Sequence, residues 1–449
     1  MLATPTIPPD PRDQVIYLVM PDRYADGDPT NNAHVNRQDP HAYHGGDLRG
    51  LTKQLDQIKD LGVTTIWITP VNDNQNGPLA GKYWGYHGYW MQDFEKLDEH
   101  MGSEADMHAF VDGAHARGLK VILDVVVNHA GYDAPIVKQK PEWFHHNGSI
   151  VDWNDAYQCE NFDLVGLPDF ASENKDVLAF MIKGWGSWIT RFGLDGFRED
   201  TVRHAPMAFW HDFNAKMHAT SRTPFFTVGE VSYHDPRKIA PYLRDAGLDS
   251  AFDFPMFETL NRVCAKGESM TKLAARFAED KAYTDARMLS PFLDNHDEVR
   301  FATTAKGDER KIRLGLAALL TMRGIPSLTW GTEVGLQGGA DPENRHDMPF
   351  GQNPALRAYT KQLLGLRREH AAFRRGWQAT LYADDQVIAY RRQAPGSHAV
   401  VVLNNADHAV TRHIPNPGAR WVDALDGTRY GRSLDVTLAP YQARVLLPR

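Results

Sequence analysis

The stretch KVILDVVV, residues 120 to 127, decides the fold. Nearly all of its residues are apolar, without the alternation typical of a strand that has one face in water, so it predicts a strand covered on both faces. Helical spacing, in SEADMHAFVDGAHARG at 103 to 118, comes directly before it. A helix beside such a strand indicates a parallel sheet covered by helices.

Seven further runs share this short length and richness in Val, Ile and Phe. They are QVIYLVM (14–20), TTIWITPV (64–71), FGLDGFRED (192–200), PFFTVGEV (224–231), LDSAFDF (248–254), RMLSPFLDNHD (287–297) and GIPSLTWG (324–331). Helical spacing lies between several of them, for example at 47–62 and 308–324. Strand and helix alternating eight times predict an α/β fold, a (β/α)8 TIM barrel.

Two segments interrupt this alternation. Residues 130–172 form a polar, aromatic-rich stretch after the third strand, too long for an ordinary connection, and predict a small inserted domain. Residues 372–449 show short alternating strands and predict a C-terminal antiparallel β-sandwich domain. The catalytic barrel is then expected to comprise residues 1–129 and 173–371.

The composition excludes several classes of protein. The net charge of -8, with no block of Lys or Arg, argues against a nucleic-acid partner. No apolar run approaches the roughly 18 residues that span a bilayer, and no secretory signal is present in the sequence given. The two cysteines, Cys159 and Cys264, lie too far apart in sequence to indicate a disulfide scaffold or a cysteine metal site.

Polar residues cluster where the predicted strands end, which is where catalytic groups of such barrels lie. They are Asp124, Asn128, His129, Arg198, Asp200, Glu230, Asn295, His296 and Asp297. Because side chains alternate along a strand, Arg198 and Asp200 are expected to face the barrel interior, while Glu199 faces the helices. Arg198 can then keep Asp200 ionised by pairing with it.

Retaining glycoside hydrolysis needs such a set of carboxyl groups. One must be ionised to attack the anomeric carbon, and another must be protonated to assist the leaving oxygen and later activate water. Asp200, beside Arg198, is the better candidate for the nucleophile. Glu230, in an apolar run with no cation next to it in sequence, is the better candidate for the acid.

Four of these segments carry a family resemblance. In order along the chain they are DVVVNH (124–129), GFREDTVRH (196–204), FTVGEV (226–231) and FLDNHD (292–297), and they resemble the signatures of the α-amylase family, whose members act on α-linked glucans. The resemblance extends over nearly the whole chain. It implies that Asp200 is the nucleophile, Glu230 the general acid/base, and Asp297 the carboxylate that grips sugar hydroxyls.

The same resemblance implies further contacts with the substrate. His129, Arg198 and His296 would complete the subsite at the cleaved bond. YHGYW (86–90) resembles the loop in which a tyrosine, here Tyr89, stacks under the reacting sugar, with His87 and Trp90 nearby. Asp341 and Arg345, in the segment 331–345, would bind sugars on the non-reducing side, and Arg203 and His204 would lie on the leaving-group side. GLPDF (166–170) resembles the fifth signature of the family.

Calcium is the expected cofactor. DGDPTNN (26–32) and GGD (45–47) supply hard oxygen donors in loops that contain glycine, which suits calcium. They resemble the N-terminal calcium site of cyclodextrin glucanotransferases, which would use Asp26, Asp28, Asn31, Asn32, the Gly45 carbonyl and Asp47. A second family site would use Asn128, Asp169 and the His204 carbonyl.

Two positions depart from the family pattern. Glu199 stands where an aliphatic residue is usual, and we expect it to pair with an arginine on a neighbouring helix. Arg203 stands where many α-amylases have lysine, and its planar fork can change how a leaving-group sugar is held.

The reaction within the family is left open by the sequence. Hydrolysis of α-1,4 bonds in starch, maltooligosaccharides or cyclodextrins is favoured, partly because Val231 rather than a bulky aromatic follows Glu230. Transglycosylation through the same covalent intermediate is the alternative, and a non-catalytic glucan-binding barrel is disfavoured because all three carboxylates are present. A monomer is expected rather than a dimer, and a periplasmic or secreted location is favoured by the calcium site and starch-type substrate.

Overall fold

A parallel sheet curls around the centre of the protein in a computed structural model, which describes residues 10–75, 77–415 and 418–449. Its N-terminal region contains strands β1 (Ile16–Val19), β2 (Thr65–Ile68), β3 (Asn72–Asn74), β4 (Met91–Leu97), β5 (Lys120–Val125), β6 (Gly196–Glu199), β7 (Phe226–Gly229), β8 (Ser250–Ala251) and β9 (Ser327–Thr329). Seven of these described strands form the sheet, in the order β8-β7-β6-β5-β2-β1-β9, and β3 pairs with β4 as a hairpin.

A short segment closes the sheet into a barrel. Ser290 forms a parallel bridge to Phe252, just after β8, and Phe292 forms one to Ser327 in β9. Pro291 lies between them and has no N–H to donate, although its carbonyl accepts a hydrogen bond from Ser327 N at 2.9 Å. The eighth strand position of the barrel is therefore occupied only by this three-residue segment. The predicted TIM barrel is confirmed.

Helices surround the barrel and follow its strands. The α-helices are α1 (Leu48–Lys53), α2 (Leu55–Leu61), α3 (Glu104–Ala116), α4 (Pro135–Gln139), α5 (Ala156–Asn161), α6 (Lys175–Phe192), α7 (Met207–Thr220), α8 (Pro236–Asp245), α9 (Phe254–Leu260), α10 (Thr271–Ala278), α11 (Phe301–Thr304), α12 (Glu309–Thr321), α13 (Pro354–Glu369) and α14 (Ala371–Arg375). Every residue of β1, β2, β6 and β7 is buried, which explains why their sequences show no polar alternation.

The long connection between β5 and α6 contains the short helices α4 and α5, a 3-10 helix at Pro141–Trp143 and isolated bridges. One bridge joins His129 to Asp169 and another joins Phe144 to Phe170. Both ends of the connection are therefore held beside the end of β5, so that it covers one side of the barrel mouth.

Two antiparallel sheets form the C-terminal region. Its strands are β10 (Trp377–Ala383), β11 (Val387–Ala394), β12 (Ser397–Asn404), β13 (Val410–Ile414), β14 (Trp421–Asp423), β15 (Arg429–Tyr430), β16 (Leu434–Leu438) and β17 (Ala443–Pro448). One sheet has the order β10-β11-β12-β17-β14-β15, and β13 pairs with β16. Buried apolar side chains from both sheets pack together, as expected of a β-sandwich.

No helix in the described residues is long and apolar enough to cross a membrane.

Candidate active site

The carboxyl ends of the barrel strands surround one cavity of about 320 Å³. Asp200, Glu230 and Asp297, which were predicted to carry the chemistry, all line it. Of the residues predicted to bind substrate, His87, Tyr89, Trp90, His129, Asp341 and Arg345 also line it. The fold thus brings together side chains that are up to 258 positions apart in the chain, from His87 to Arg345 (345 minus 87).

Arg198 joins the carboxyl groups at the base of this cavity. Its Nη1 atom lies 2.6 Å from Asp200 Oδ1 and 2.9 Å from Asp124 Oδ1, and its Nη2 atom lies 3.0 Å from Glu230 Oε2. The guanidinium is almost completely buried, and burying a charge is tolerable only when it is paired. A charged side chain within β6 is therefore explained by the three carboxyl groups that surround it.

Glu230 differs from its neighbours in its affinity for a proton. Burial raises the pKa of its carboxyl to about 8, and the negative charges of Asp200 and Asp297 add to this effect, although Arg198 opposes it. Its Oε2 atom also accepts a hydrogen bond from Thr201 N at 3.0 Å. Glu230 consequently carries its proton at neutral pH, as a general acid must.

Asp124 lies beneath the cavity and holds its wall in position. Trp67 Nε1 donates a hydrogen bond to Asp124 Oδ2 at 3.1 Å, and the Tyr89 hydroxyl donates to the same oxygen at 2.7 Å. Burial raises the pKa of Asp124 to about 7 in spite of Arg198. These contacts give Asp124 a structural role at the base of the cavity.

Tyr89 is fixed by aromatic neighbours as well. Its ring stacks on His296, with centroids 5.4 Å apart and planes inclined by 10°, and on His87 at 5.7 Å and 26°. Its hydroxyl oxygen lies 2.7 Å from His296 Nε2. The tyrosine is thus a rigid apolar surface beside the carboxyl groups, suited to the C–H face of a sugar ring.

Arg345 organises the opposite side of the cavity. Its Nη2 atom lies 2.9 Å from Asp297 Oδ1 and its Nη1 atom 3.0 Å from Asp341 Oδ1. Its Nε atom donates to the carbonyl of His296 at 2.8 Å. Arg345 therefore connects Asp297 to Asp341, the carboxylate predicted for the non-reducing side.

Several residues that line the cavity were not foreseen from the sequence. They are Tyr132, Leu164, Val165, Leu167 and Thr201. Four of the five belong to the long connection after β5, where the sequence singled out only GLPDF (166–170), which contains Leu167.

Comparison with known proteins identifies this arrangement. The family description "Alpha amylase, catalytic domain" matches residues 18–357, and "Maltogenic Amylase, C-terminal domain" matches residues 379–445.

The chain belongs to the α-amylase family.

Related proteins of the α-amylase family differ in their reactions. The chain is 37% identical to the "Beta/alpha-amylase" of Paenibacillus polymyxa over 96% of its own length, but it spans only 37% of that protein. It is 31% identical to a cyclomaltodextrin glucanotransferase of Klebsiella oxytoca, over 91% of this chain and 72% of that protein.

Solved structures of the family resemble this chain over almost its entire length. The α-amylase of Geobacillus thermoleovorans, in complex with acarbose, has a TM-score of 0.90 and 37% identity, covering 98% of both chains. CldA, a cyclomaltodextrin glucanotransferase described as having a three-domain ABC distribution, has a TM-score of 0.88 and 29% identity, covering 97% of this chain and 99% of the other.

Arg203 and His204, predicted to lie on the leaving-group side, do not line the cavity. The Arg203 guanidinium instead donates to the carbonyl of Trp153 and lies 2.9 Å from Cys159 Sγ, while its Cζ atom is 4.7 Å from the ring centroid of Tyr233. His204 Nδ1 lies 2.9 Å from the carbonyl of Cys159. Both side chains therefore attach the long connection to the barrel.

The prediction that Glu199 pairs with an arginine on a neighbouring helix is wrong. The Glu199 side chain is fully buried, and Asn214 Nδ2 in α7 donates a hydrogen bond to its Oε2 atom at 3.4 Å, while Oε1 has no partner within the described residues. Burial raises the pKa of this carboxyl well above its usual value. A protonated acid needs no cation, so a neutral amide is sufficient.

The first candidate calcium site contains oxygen atoms without a donor. Asn31 Oδ1 and Asn32 Oδ1 are buried and have no hydrogen-bond partner among the described residues. Asn32 Nδ2 donates to Asp26 Oδ2 at 2.8 Å, and a Cβ atom at Gly45, whose φ is +86°, would lie 2.7 Å from Asn32 Oδ1. Buried acceptors without donors fit a hard cation.

Asp28 and Asp47, which were also predicted ligands, already have partners. Thr30 Oγ1 and Arg49 Nη1 each lie 2.6 Å from the Asp28 carboxylate. Asp47 caps α1 by accepting from Gly50 N at 2.6 Å, and its other oxygen accepts from the backbone N–H of residues 27 and 28. In the described part of the chain no three His, Cys, Asp or Glu side chains form a metal cluster. The residues that fit best are thus Asn31 and Asn32, together with Asp26, although Asp26 Oδ2 also lies 3.1 Å from Nη2 of the exposed Arg37.

The second candidate calcium site already has a charge partner. Asp169 Oδ2 lies 2.7 Å from His145 Nδ1, and Asp169 Oδ1 is buried without a hydrogen-bond partner in the described residues. Burial raises the pKa of Asp169 to about 7, although His145 opposes this. The side chain of Asn128 lies 3.5 Å from His129 Nδ1. His145 thus satisfies one carboxylate oxygen of Asp169, while the other lacks a donor, as the two amide oxygens of the first site do.

Proposed function

We propose that this chain is a retaining glycoside hydrolase that cleaves α-1,4-glucosidic bonds in starch, maltooligosaccharides or cyclodextrins through a covalent glycosyl-enzyme intermediate. The observation that supports this most strongly is the contact of one guanidinium, Arg198, with both Asp200 and Glu230. Such a shared contact favours the short carboxyl separation of about 5 Å used by retaining enzymes over the longer one of inverting enzymes.

The two carboxyl groups would act in two steps. In the first, Asp200 attacks the anomeric carbon, the glycosidic bond breaks, and Glu230 gives its proton to the leaving oxygen. In the second, the ionised Glu230 takes a proton from water, which attacks the same carbon and releases Asp200. The raised pKa of Glu230, about 8, supports its role as the acid of the first step.

The remaining residues would hold the sugar at the point of attack. Asp297 and Asp341 present oxygen atoms to sugar hydroxyls, and Arg345 fixes both of them. Tyr89 supplies the apolar surface below the ring. Because these groups are held by one another before substrate arrives, little reorganisation is needed during the reaction.

Transglycosylation is the second candidate function. The similarity of this chain to a cyclomaltodextrin glucanotransferase over almost the full length of both chains favours it. The argument from Val231 does not discriminate between the two reactions, because Val231 is fully buried and does not line the cavity. A sugar hydroxyl would then replace water in the second step.

Product analysis distinguishes the two reactions. We would incubate the protein with maltoheptaose, β-cyclodextrin or soluble starch and compare it with Asp200→Asn. Shorter oligosaccharides that are absent with Asp200→Asn support hydrolysis, and products longer than maltoheptaose support transfer. Absence of turnover with every substrate would refute the glucan assignment.

We also propose that calcium binds at the first candidate site, held by Asp26, Asn31, Asn32 and the Gly45 carbonyl. The two buried amide oxygens without donors support this choice. The ion would add to the charge compensation that Arg37 already gives Asp26. It would also connect the loops that contain these residues, so it would stabilise the fold rather than take part in the reaction.

A further inference from the structure

A second cavity of about 320 Å³ lies at the opposite end of the barrel from the active site. Gln14 and Val15 precede β1, Thr64 precedes β2, and Lys120 begins β5, so the cavity borders the N-terminal ends of the strands. The end of α13 covers its other side. In barrels of this kind the N-terminal face contributes to stability and not to catalysis.

Positive side chains dominate the lining of this second cavity. Lys120, Arg367, Arg368 and Arg374 line it, and Asp13 is the sole carboxylate among its lining residues in the described part of the chain. The negative end of the α13 dipole offsets part of this charge. The excess of cations over anions nevertheless remains, because one carboxylate faces four cations.

Asp13 pairs with two arginines, of which Arg374 lines the cavity and Arg375 does not. Arg374 Nε and Arg375 Nε lie 2.9 and 2.8 Å from Asp13 Oδ1. Arg368 has an exposed glutamate, Glu369, 3.6 Å away, which is a weak surface contact. Lys120 forms no ion pair with any residue that the structure describes.

Arg367 is the buried member of this group. Only 1% of it is exposed, and its Nη atoms donate to the carbonyls of Phe373, at 2.7 Å, and Gly324, at 2.5 Å. Its Nε atom has no hydrogen-bond partner within the described residues. Arg392, fully buried behind it, also donates to the Phe373 carbonyl, at 3.1 Å.

These two buried guanidinium groups share a carbonyl but have no carboxylate partner. Burial lowers the pKa of Arg367 to about 9, with a further contribution from the charge of Arg374, and burial likewise lowers the pKa of Arg392 to about 9. Backbone carbonyls satisfy donors, but they do not cancel a buried positive charge. An anion in the cavity would offset the charge of Arg367, which lines it, whereas Arg392 does not line it.

We propose that the cavity between Lys120 and the end of α13 binds a tetrahedral oxyanion of the phosphate or sulfate class. The planar forks of arginine suit such an ion, whereas the ammonium of Lys120 acts as a point charge. The ion would connect the start of β5 to α13 and the segment before β1. It would therefore stabilise the barrel and leave turnover unchanged.

Thermal unfolding with added sodium sulfate, at an ionic strength held constant with sodium chloride, tests this proposal. We choose sulfate because phosphate would precipitate calcium. A saturable rise in Tm of about 2 °C or more is expected for the wild-type protein. In Lys120→Gln most of this rise is expected to be lost, while kcat on maltoheptaose stays unchanged in both proteins.

Lys138→Gln is the matched control, because Lys138 is an exposed lysine in α4, within the long connection after β5. It should retain the full rise in Tm. Arg368→Gln, at an exposed position, is the second test variant in case Lys120→Gln fails to fold, and it should reduce the rise. Glucose 6-phosphate in place of sulfate distinguishes the source: a saturable rise with the ester alone supports a phosphate ester, and a rise with sulfate supports a free ion.

Two results would overturn the proposal. One is a rise in Tm that does not saturate and is equal in all variants, since sulfate strengthens burial in proteins generally. The other is a saturable rise that remains complete in Lys120→Gln and Arg368→Gln. Neither result bears on the glycosidase assignment, because the cavity shares no residue with the active site.

Discussion

Nη2 of Arg198 lies 3.0 Å from Oε2 of Glu230, yet burial keeps the pKa of Glu230 at about 8. The same guanidinium contacts Asp200 at 2.6 Å. One cation is therefore shared between a proposed nucleophile and a proposed acid, and it does not ionise the acid at neutral pH because desolvation and two nearby carboxylates oppose it.

We expect Arg198→Lys to lower kcat on maltoheptaose by about 100-fold or more, because an ammonium cannot contact Asp124, Asp200 and Glu230 together. Arg203→Lys is the control, since Arg203 does not line the cavity, and it should remain within a few-fold of wild type. Steady-state kinetics, with circular dichroism to verify folding, would measure this. Activity of Arg198→Lys within tenfold of wild type would contradict the role of Arg198.

The pH dependence of kcat/KM should report the ionisation of the Glu230 carboxyl. Its carboxyl must be protonated to act as the acid, so kcat/KM on maltoheptaose should fall as pH rises through about 8. Glu230→Gln should lose most activity on maltoheptaose but retain activity on a maltosyl fluoride, whose leaving group needs no proton. A basic limb that persists in this variant on the fluoride would assign the limb to another group.

The raised pKa of Glu199 predicts that the stability of the fold depends on pH. Because burial raises its pKa, the folded protein holds this proton more tightly than the unfolded chain does. The resulting stability is complete below the pKa of an unfolded glutamate and is lost as pH rises toward the folded value, by at most about 1.4 kcal/mol per pH unit. Glu199→Gln should therefore be increasingly more stable than wild type from pH 5 to 8.

Urea unfolding at pH 5 and at pH 8 would measure the difference in the free energy of unfolding between Glu199→Gln and wild type. Glu142→Gln, at an exposed position, is the control. An advantage of Glu199→Gln that is equal at pH 5 and pH 8 would show that Glu199 has an ordinary pKa in the folded protein.

Removal of calcium should destabilise the wild-type protein. A structural ion present at 100 times its Kd contributes about 2.7 kcal/mol, so for a chain of 449 residues a chelator should lower Tm by about 3 °C. Asn32→Ala should show little further loss with the chelator, because a buried ligand oxygen is missing. Asn154→Ala, at an exposed position in the long connection, should respond as wild type does. An equal response of Asn32→Ala and wild type would exclude this site.

The sequence predicted the barrel because its strands are buried on both faces, which leaves a continuous apolar run such as KVILDVVV. It did not reveal that the eighth strand position contains only the short segment Ser290–Phe292, where Pro291 limits backbone pairing with the neighbouring strands. β10, from Trp377 to Ala383, is an edge strand with no buried residue, so its own sequence shows no buried alternating face.

Site residues at strand ends could be predicted, because topology alone brings those ends together. The hydrogen-bond and ion-pair partners of individual side chains could not be predicted from the sequence. The contact of Asn214 with Glu199 and the attachment of Arg203 to Trp153 depend on how α7 and the long connection pack, which no local pattern encodes. The sequence suggested Asp28 and Asp47 as ligands, although Arg49 and backbone N–H groups already satisfy them.

The most direct test of the proposed mechanism is the anomeric form of the first product, measured by proton NMR during early hydrolysis of maltoheptaose. Attack by Asp200 followed by attack of water inverts the anomeric carbon twice, so the new reducing end should appear first as the α-anomer and then mutarotate. Initial release of the β-anomer would mean a single displacement by water, and it would contradict the assignment of Asp200 as the nucleophile.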